Sequence, residues 1–398
     1  MIILFHPSLV GRGGSQKYII DYYNYFKKKH NTLLITYNYS STCYPEIVNE
    51  NEIIFLNKIN KLNHKKIFYP YFLKIIFSFF NELILTYKIK KKIKSILDTN
   101  NVKIFFQHEI QFNFLSKLFS SSKKYLYLYD SKNKLYFFDK GKNLNFIDNL
   151  TIDLLSIFTK NLHLKNFNNI FVLEEFQKKD VDKRYSINSE VIYGYYNEKK
   201  YYMKKNNLIR NRFNLSANTK ILFCLSRFSK YKKIEDLLDL MSLINKQSNN
   251  HFFLYAKCMK DDLIYEETII SKYKNSFYPS GNSFFDFDTA QSENELFNLY
   301  NSSDIFVFPS MNQTWGNAIL ESIACGQIPL ISDDCGINML VLKNKLGEVY
   351  KVGDINDMLN KFNLIVKEPE NYKNNHLFTK DNLNFSSHIE KITNILNV

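Results

Sequence analysis

The sequence predicts an α/β fold with two doubly wound domains, and three observations support this. Short apolar runs recur along the chain, with helix-like segments between them. The runs lack the alternation of apolar and polar residues that marks a half-exposed sheet, so they predict parallel strands covered on both faces. The polar stretch 195–214 interrupts the series once. It therefore predicts a boundary between two α/β domains.

The first series begins at the N-terminus with a strand over 2–5 and a helix over 15–29. The second series begins after the polar stretch, and the chain ends in a predicted helix over 386–397. Further strands are predicted over 32–36, 53–56, 103–106, 124–129, 170–173 and 191–192 in the first series, and over 220–226, 251–256, 304–308 and 328–332 in the second.

Length and composition exclude several classes of protein. A chain of 398 residues with 45% apolar residues is long enough for two domains and too apolar for disorder. The five cysteines form no CxxC pair, which favours reduced thiols and no metal site. The start MIILFHPSLV has no basic segment before its apolar run, so we expect a first core strand and a cytoplasmic protein.

The net charge of +14 indicates an anionic partner. The lysines cluster in the first quarter of the chain, at 27–29, 65–66 and 88–94, around an apolar segment over 71–87. Basic residues beside an apolar helix suit an anionic membrane surface, with Phe72, Ile76, Phe79 and Phe80 as its apolar contacts. A core helix with solvated lysines fits the same pattern. No DNA- or RNA-reading motif accompanies the charge, so we expect no nucleic-acid partner.

A glycine loop, Val10-Gly11-Arg12-Gly13-Gly14, lies between the first strand and the first helix. Glycines let a backbone approach a ligand closely, and the start of a helix offers N–H groups to an anion. The spacing differs from the GxGxxG of dinucleotide enzymes. A purely structural turn is the alternative reading.

Two cations follow the first strand of the second series. Arg227 stands where that strand is predicted to end, and Lys232 follows five residues later, before an amphipathic helix. Cations at the carboxyl end of a parallel strand can reach one phosphate group. Two solvated cations in a lysine-rich chain are the alternative reading.

The segment MNQTWGNAILESIACG, residues 311–326, follows an apolar strand and reads as a loop and then a helix. The helix start after Gly316 lets Asn317 and Ala318 offer backbone donors to an anion. Glu321 lies one turn further on. Its carboxylate either stabilises the helix start or accepts hydrogen bonds from two neighbouring sugar hydroxyls.

Together these sites resemble the GT-B nucleotide-sugar glycosyltransferases of family 4, also called group 1. The resemblance rests on Gly13-Gly14, on Ser226-Arg227-Phe228 with Lys232-Lys233, and on Pro309-Ser310, Gln313-Thr314-Trp315-Gly316 and Leu320-Glu321-Ser322. It implies two Rossmann-like domains that face each other across a cleft. Residues 1–194 would bind the acceptor, residues 195–380 the nucleotide sugar, and residues 381–398 would form a helix that returns to the first domain.

The resemblance also implies the site roles. Arg227, Lys232 and Glu321 would be catalytic. Glu321 would also bind the donor, together with Gly13, Gly14, Gln313, Gly316 and Asn317. His108 and Asp130 are candidates for acceptor binding. The enzyme would be retaining, would use a UDP- or GDP-sugar as substrate, and would need neither metal nor cofactor.

Three departures from the family pattern are visible. Gln313 stands where the family has a glutamate, and Lys233 stands where it has a glycine. The family's histidine after its middle first-domain strand has no clear counterpart, because Tyr129-Asp130-Ser131 occupies that place.

We therefore predict transfer to a glycan or lipid-linked acceptor in bacterial-type surface polysaccharide or glycoconjugate synthesis. The protein would lie in the cytoplasm, at the inner face of the cell membrane. The alternative is a degenerate GT-B scaffold that binds nucleotide or glycan without transfer. Base, sugar, acceptor and oligomeric state are left open.

Overall fold

The structure is a computed structural model. It describes residues 1–11, 13–58, 70–129, 145–162, 164–247, 252–279, 281–288 and 292–398. The chain divides into two compact units. The first consists of Met1–Ile192 with Leu396–Val398, and the second is Tyr193–Ile395.

The first unit contains seven parallel strands in the order β3-β2-β1-β4-β5-β6-β7. One face of the sheet packs on α2 and α4. On this face Phe105 and Leu126 of the strands share an apolar cluster with Ile93 of α2 and Tyr185 of α4. The strands are β1 (Ile2–Leu9), β2 (Thr32–Tyr39), β3 (Ile53–Lys58), β4 (Ile104–His108), β5 (Lys123–Leu128), β6 (Asn169–Val172) and β7 (Glu190–Val191), and the helices are α1 (Gly14–Phe26), α2 (Tyr71–Ile96), α3 (Phe146–Leu162) and α4 (Glu175–Tyr185).

The other face of this sheet is covered by α1, where Tyr22 packs on Phe106 with ring centroids 5.8 Å apart. Tyr18 of the same helix lies edge-on to Tyr127. Burial on both faces explains why the strands read as continuous apolar runs.

The second unit contains six parallel strands in the order β10-β9-β8-β11-β12-β13. Leu222 and Val307 pack on α6 and α11 on one face, and Phe223 and Phe306 pack on Tyr300 of α8 on the other. The strands are β8 (Lys220–Phe228), β9 (Phe252–Lys260), β10 (Ser283–Asp286), β11 (Ile305–Phe308), β12 (Ile328–Ser332) and β13 (Glu348–Tyr350), and the helices are α5 (Leu208–Arg212), α6 (Ile234–Gln247), α7 (Leu263–Lys272), α8 (Glu293–Asn301), α9 (Asn317–Ala324), α10 (Asn338–Lys343), α11 (Ile355–Lys367), α12 (Asn375–Asn382) and α13 (Phe385–Leu396).

The predicted fold class is confirmed, since both units are doubly wound parallel sheets with helices on both faces. Every predicted strand is present, and the final helix differs from the prediction by one residue at each end. Two strands were missed. β10 and β13 contain only four and three residues, too few for an apolar run to stand out from its polar flanks.

The helix α2 does not lie as the sequence pattern suggests. Glu82, the one acid within the apolar segment 71–87, is buried, and its Oε1 accepts a hydrogen bond from the Phe112 N–H at 2.8 Å. Phe79 is also buried, and Phe72 and Ile76 are half-buried. The helix therefore turns a different face to solvent from the one assigned. In the part of the chain that the structure describes, no helix has the length and hydropathy needed to span a bilayer.

The buried Glu82 predicts a pH-dependent stability. Burial raises its pKa to about 7, and the bond from Phe112 offsets part of that rise. Between pH values of about 4.5 and 7 the folded chain binds more protons than the unfolded chain, so stability falls as the pH rises. We expect Glu82→Gln to melt at a higher temperature than wild type at about pH 8, with a gain of up to about 3 kcal/mol.

Near pH 4.5 the variant and wild type should melt alike, because Glu82 is then protonated in the folded chain. Thermal unfolding followed by circular dichroism at both pH values measures the difference. Parallel pH profiles for the two proteins would contradict a neutral, buried Glu82.

Candidate functional site

The candidate site lies where the order of the second sheet reverses. From β8 the chain continues to β9 and β10 on one side, and then crosses to β11 on the other. Such a reversal leaves a crevice at the carboxyl ends of the two central strands, where open α/β sheets bind ligands. Arg227 lies near the end of β8, and Lys232 lies in the turn that follows it. Gln313 lies in the loop after β11, and Glu321 lies in the helix after that loop.

The end of β8 carries Arg227. The strand runs further than predicted, because Arg227 pairs with Met259 of β9 and Phe228 is buried in the core. Arg227 itself is half-exposed, with Nη1 3.6 Å from the Asp261 Oδ2. Its guanidinium lies 5.9 Å from the centroid of the Tyr231 ring. An exposed pair of this kind binds weakly and leaves the cation available to an anion.

Lys232 is buried at the end of the turn that follows β8. Its Nζ donates to the Gln313 Oε1 at 2.7 Å. It also lies 5.1 Å from the Tyr231 ring centroid and 5.0 Å from that of Phe308. The structure thus brings together Lys232 and Gln313, which the sequence places far apart, and sets Tyr231 beside both cations.

The charge of Lys232 lowers the pKa of a neighbouring thiol. Burial raises the pKa of Cys224 to about 12, and Lys232 opposes that rise. All five cysteines lie in the described residues, are buried and form no disulfide. Among the residues that the structure describes, no group of three or more His, Cys, Asp and Glu side chains is placed to hold a metal ion.

The loop that carries Gln313 is fixed through its backbone. The Met311 N–H donates to the Tyr231 carbonyl at 2.7 Å. Gln313 donates to the Asp334 carbonyl at 3.1 Å and accepts from the Gly336 N–H at 2.8 Å. Since these bonds hold both flanks of the loop, the Gln313 amide has a defined position beside Lys232.

Helix α9 begins at Asn317 behind a glycine that the backbone requires. Gly316 has a φ of +133°, which side-chain-bearing residues rarely adopt. A Cβ at this position would lie 2.6 Å from the Ile319 Cδ1. Trp315, just before it, is buried and stacks on Tyr193 with ring centroids 5.7 Å apart. The helix start is therefore rigidly placed.

Glu321 lies in α9 and is only 8% exposed. Its Oε2 accepts a hydrogen bond from the Tyr300 hydroxyl of α8 at 3.0 Å. Burial and the Glu321 charge raise the pKa of Tyr300 well above its usual value, so the hydroxyl stays a donor. The carboxylate is thus held in place by one of its oxygens.

In the first unit, Gly13 lies between β1 and α1 and Gly14 begins α1, where the first sheet also reverses its strand order. The Gly13 carbonyl accepts from the Tyr44 hydroxyl at 3.2 Å. Gly13 and Gly14 belong to the first unit, and Arg227, Lys232, Gln313 and Glu321 belong to the second.

His108 ends β4, the strand beside β1, and is fully buried. Its Nδ1 lies 2.7 Å from the Tyr129 hydroxyl, and its ring packs on Tyr22 and Phe106. Such an aromatic surrounding fits a structural histidine as well as a binding one. Asp130, the other acceptor-binding candidate, lies outside the described residues, as does Arg12.

Sequence reasoning missed four residues that shape the site. Tyr300 orients Glu321, Tyr231 lies between the cations, Asp261 pairs with Arg227, and Asp334 holds the Gln313 loop. Tyr231 could have been found, because it separates the two predicted cations in a short turn. The others come from distant positions and carried no sequence signal.

Comparisons with known proteins relate the chain to a family model, a curated relative and solved structures. Residues 205–377 match the family model of glycosyl transferases group 1. A curated relative, N-acetyl-alpha-D-glucosaminyl L-malate synthase of Bacillus anthracis, is 22% identical over 186 residues, which is 46% of each chain. The chain thus aligns with about half the length of that relative.

Solved structures match along the whole chain. Sucrose-phosphate synthase from Thermosynechococcus elongatus aligns with a TM-score of 0.72 at 15% identity, over 100% of this chain and 98% of that one. The Anabaena protein HepE, in complex with UDP and glucose, aligns with a TM-score of 0.72 at 13% identity, over 100% and 99%. The chain therefore has the GT-B fold, as its sequence predicts.

The positive φ of Gly316 yields a test of how the helix start is built. We expect Gly316→Ala to lower stability by about 1–3 kcal/mol, because alanine is strained at this φ and its Cβ meets Ile319. The double variant Gly316→Ala/Ile319→Ala, compared with Ile319→Ala alone, removes the clash and keeps the backbone strain. Thermal unfolding measures both costs. An unchanged melting temperature in Gly316→Ala would show that the loop adapts freely.

Proposed function

The chain carries a group 1 glycosyl transferase domain in residues 205–377, and from this premise we propose that it is a retaining glycosyltransferase. It would transfer a sugar from a UDP- or GDP-sugar to a glycan or lipid-linked acceptor. The setting we propose is the synthesis of a bacterial-type surface polysaccharide or glycoconjugate in the cytoplasm.

One observation carries the proposal. A buried lysine and an amide from two distant loops meet at the reversal of the second sheet, with Lys232 Nζ 2.7 Å from Gln313 Oε1. A buried cation is costly unless it is compensated. Gln313 offers this lysine a hydrogen bond without a negative charge, so it binds Lys232 without neutralising it. A diphosphate fits this requirement.

In the proposed reaction, Arg227 and Lys232 hold the diphosphate of the donor. The bond between the sugar C1 and the diphosphate oxygen breaks, and the nucleoside diphosphate takes the electron pair. A new bond forms between C1 and the acceptor oxygen, whose proton passes to the departing diphosphate oxygen. The two cations stabilise the charge that develops on the diphosphate, which is the work that a metal ion does elsewhere. We therefore propose metal-independent transfer with retention of configuration.

The two remaining side chains would read the donor. Glu321 would accept from the ribose hydroxyls with the carboxylate that the Tyr300 hydroxyl holds by a hydrogen bond at 3.0 Å. The Gln313 Oε1 accepts a hydrogen bond from Lys232, so the amide N–H groups of Gln313 are the donors that would face a sugar. Gly316 and Asn317 would place the start of α9 at the phosphates.

The roles predicted for the first unit complete the proposal. Gly13 and Gly14 are proposed to contact the donor, and His108 and Asp130 the acceptor. The burial of His108 makes it the weakest of these assignments.

The alternative function is a GT-B scaffold that binds nucleotide or glycan without transfer. Loss of function would be expected to relax the costly features first. The chain keeps the buried Lys232, the buried Glu321 and the positive φ of Gly316, which favours an active enzyme.

A thermal-shift screen over nucleotide sugars tests the proposal, because a ligand that binds the folded chain raises its melting temperature. UDP-sugars come first, since the Anabaena relative is solved with UDP and glucose. With a donor in hand, hydrolysis without acceptor separates an enzyme from a scaffold. Activity in the presence of a chelator tests metal independence, and proton NMR of the product tests retention.

Removing either cation should abolish most of the transfer. We expect Arg227→Ala and Lys232→Met to lower kcat/KM by about a hundredfold or more, because each loses a charge-assisted contact to the diphosphate. Methionine keeps the buried stem of Lys232. Lys230→Ala is the matched control, since Lys230 is exposed in the same turn and should keep its activity. Steady-state kinetics decide, and wild-type turnover in the first two variants would rule out the diphosphate role.

Glu321 and Gln313 should differ in how far they tolerate substitution. Glu321→Ala should lose about one to several decades of efficiency, mostly in KM for the donor, because charged hydrogen bonds contribute about 1.5–3 kcal/mol each. Gln313→Glu should keep activity and change the preferred sugar, while Gln313→Ala should lose much of its activity. Kinetics with one identified donor compare the three. Full activity of Glu321→Ala would reduce this carboxylate to a helix-start charge.

A further inference from the structure

Helix α2 exposes a continuous stripe with two halves of different character. Phe77, Phe80, Ile84 and Tyr87 follow each other at helical spacing and are 56–73% exposed. Lys88, Lys91 and Lys94 continue the same side of the helix and are exposed. The opposite side, with Ile75, Phe79, Glu82 and Ile89, is buried. The exposed apolar side chains are therefore a second apolar face, distinct from the one that packs on the core.

The neighbouring helix α3 repeats the feature. The two helices pack through Ile75 of α2 with Ile152 and Leu155 of α3. Five large apolar side chains of α3 are exposed, and they lie at helical spacing from Phe146, which is 79% exposed. They are Phe146, Ile147, Leu150, Leu154 and Ile157.

We propose that these two helices form a surface that docks on an anionic lipid bilayer. Nine large apolar side chains on adjacent helices far exceed the single exposed apolar residues that a soluble surface normally carries. The apolar half would enter the boundary between headgroups and acyl chains, and the lysine half would meet the negative headgroups. The surface thus lies in the plane of the membrane and does not cross it.

Charge decides between a bilayer and a second copy of this chain. If this surface paired with the same surface of a second copy, its exposed lysines would meet either apolar side chains or other lysines. Neither supplies negative charge. The acids of the two helices supply one exposed negative charge, that of Asp153, against the three exposed lysines of the α2 stripe. Glu82 and Asp148 are buried, and Asp153 is the remaining acid of α2 and α3. An anionic bilayer satisfies both halves at once.

The face differs from the one that the amino-acid pattern indicates. Sequence analysis assigned the contacts to Phe72, Ile76, Phe79 and Phe80, of which Phe80 is 56% exposed and Phe79 is buried. The contribution of α3 was not foreseen. The proposal rests on exposed side chains of the first unit, so it does not depend on the proposed transfer reaction.

Flotation of the full chain with vesicles tests the proposal. Vesicles of phosphatidylcholine with phosphatidylglycerol should carry the protein upward, and vesicles of phosphatidylcholine alone should carry much less. Raising the salt to about 0.5 M should weaken binding several-fold, because it screens the lysines. Failure of the wild-type protein to float with anionic vesicles at low salt would overturn the proposal, whatever the transfer activity.

Three variants locate the surface. Phe77→Ser/Phe80→Ser/Ile84→Ser and Leu150→Ser/Leu154→Ser/Ile157→Ser should each weaken binding about tenfold or more, because they remove the apolar insertion. Lys88→Gln/Lys91→Gln/Lys94→Gln should remove most of the salt dependence. The matched control, Met339→Ser/Leu342→Ser, changes exposed apolar residues of α10 in the second unit and should float like wild type.

Folding and self-association are checked on the same samples. Each variant must keep the circular dichroism spectrum and melting temperature of wild type. If a serine variant unfolds, the lysine-to-glutamine variant still tests whether this surface binds anionic vesicles. Gel filtration reports a second copy. A wild-type dimer that the serine variants dissociate, together with unchanged flotation of those variants, would assign the face to self-association and overturn the membrane proposal.

Discussion

Burial of both parallel sheets on both faces is the constraint on which the rest of the structure depends. A covered parallel strand leaves no solvent-facing row for polar side chains, so polar groups gather where strands end. Where the strand order reverses, the two central strands send their connections to opposite sides and leave a crevice. The second unit follows this rule closely, because the end of β8 supplies Arg227 and Lys232, and the loop after β11 supplies Gln313. The chemistry of the site is thus a consequence of topology.

Within that crevice the electrostatics depend on how one buried lysine is compensated. Lys232 is 6% exposed, and it has Gln313 and two aromatic rings around it. A glutamate at 313 would neutralise the lysine, whereas the amide binds it and leaves its charge in place. Under the proposed function, the glutamine would favour binding of an anion at Lys232 and would leave Gln313 less able to accept sugar hydroxyls.

The sequence predicted those parts of the molecule that follow from periodic or local patterns. Buried strands such as β1 and β11 form continuous apolar runs, and glycine before α9 marks a helix start. Short strands such as β13 leave no such pattern. The contact of Tyr300 with Glu321 could not be inferred, because nothing local links α8 to α9. The error in the predicted exposed face of α2 has a similar cause. Phe79 and Phe80 are equally apolar, and only the packing of α3 and of the segment around Phe112 decides which of them is buried.

Backbone strain marks the borders of the candidate site in the second unit. Lys233 follows Lys232 with a φ of +52°, Asn312 precedes Gln313 with a φ of +50°, and Gly316 opens α9 with a φ of +133°. Left-handed residues other than glycine cost about 1 kcal/mol or more and persist where surrounding contacts enforce them. Here the enforcing contacts are identifiable, since the Lys233 N–H donates to Lys230 and the Asn312 N–H donates to the Asp334 carboxylate. Lys233 thus adopts a left-handed conformation that glycine reaches at lower cost. The turn that brings Lys232 to Gln313 therefore holds this conformation with a lysine at the position where the resemblance has a glycine.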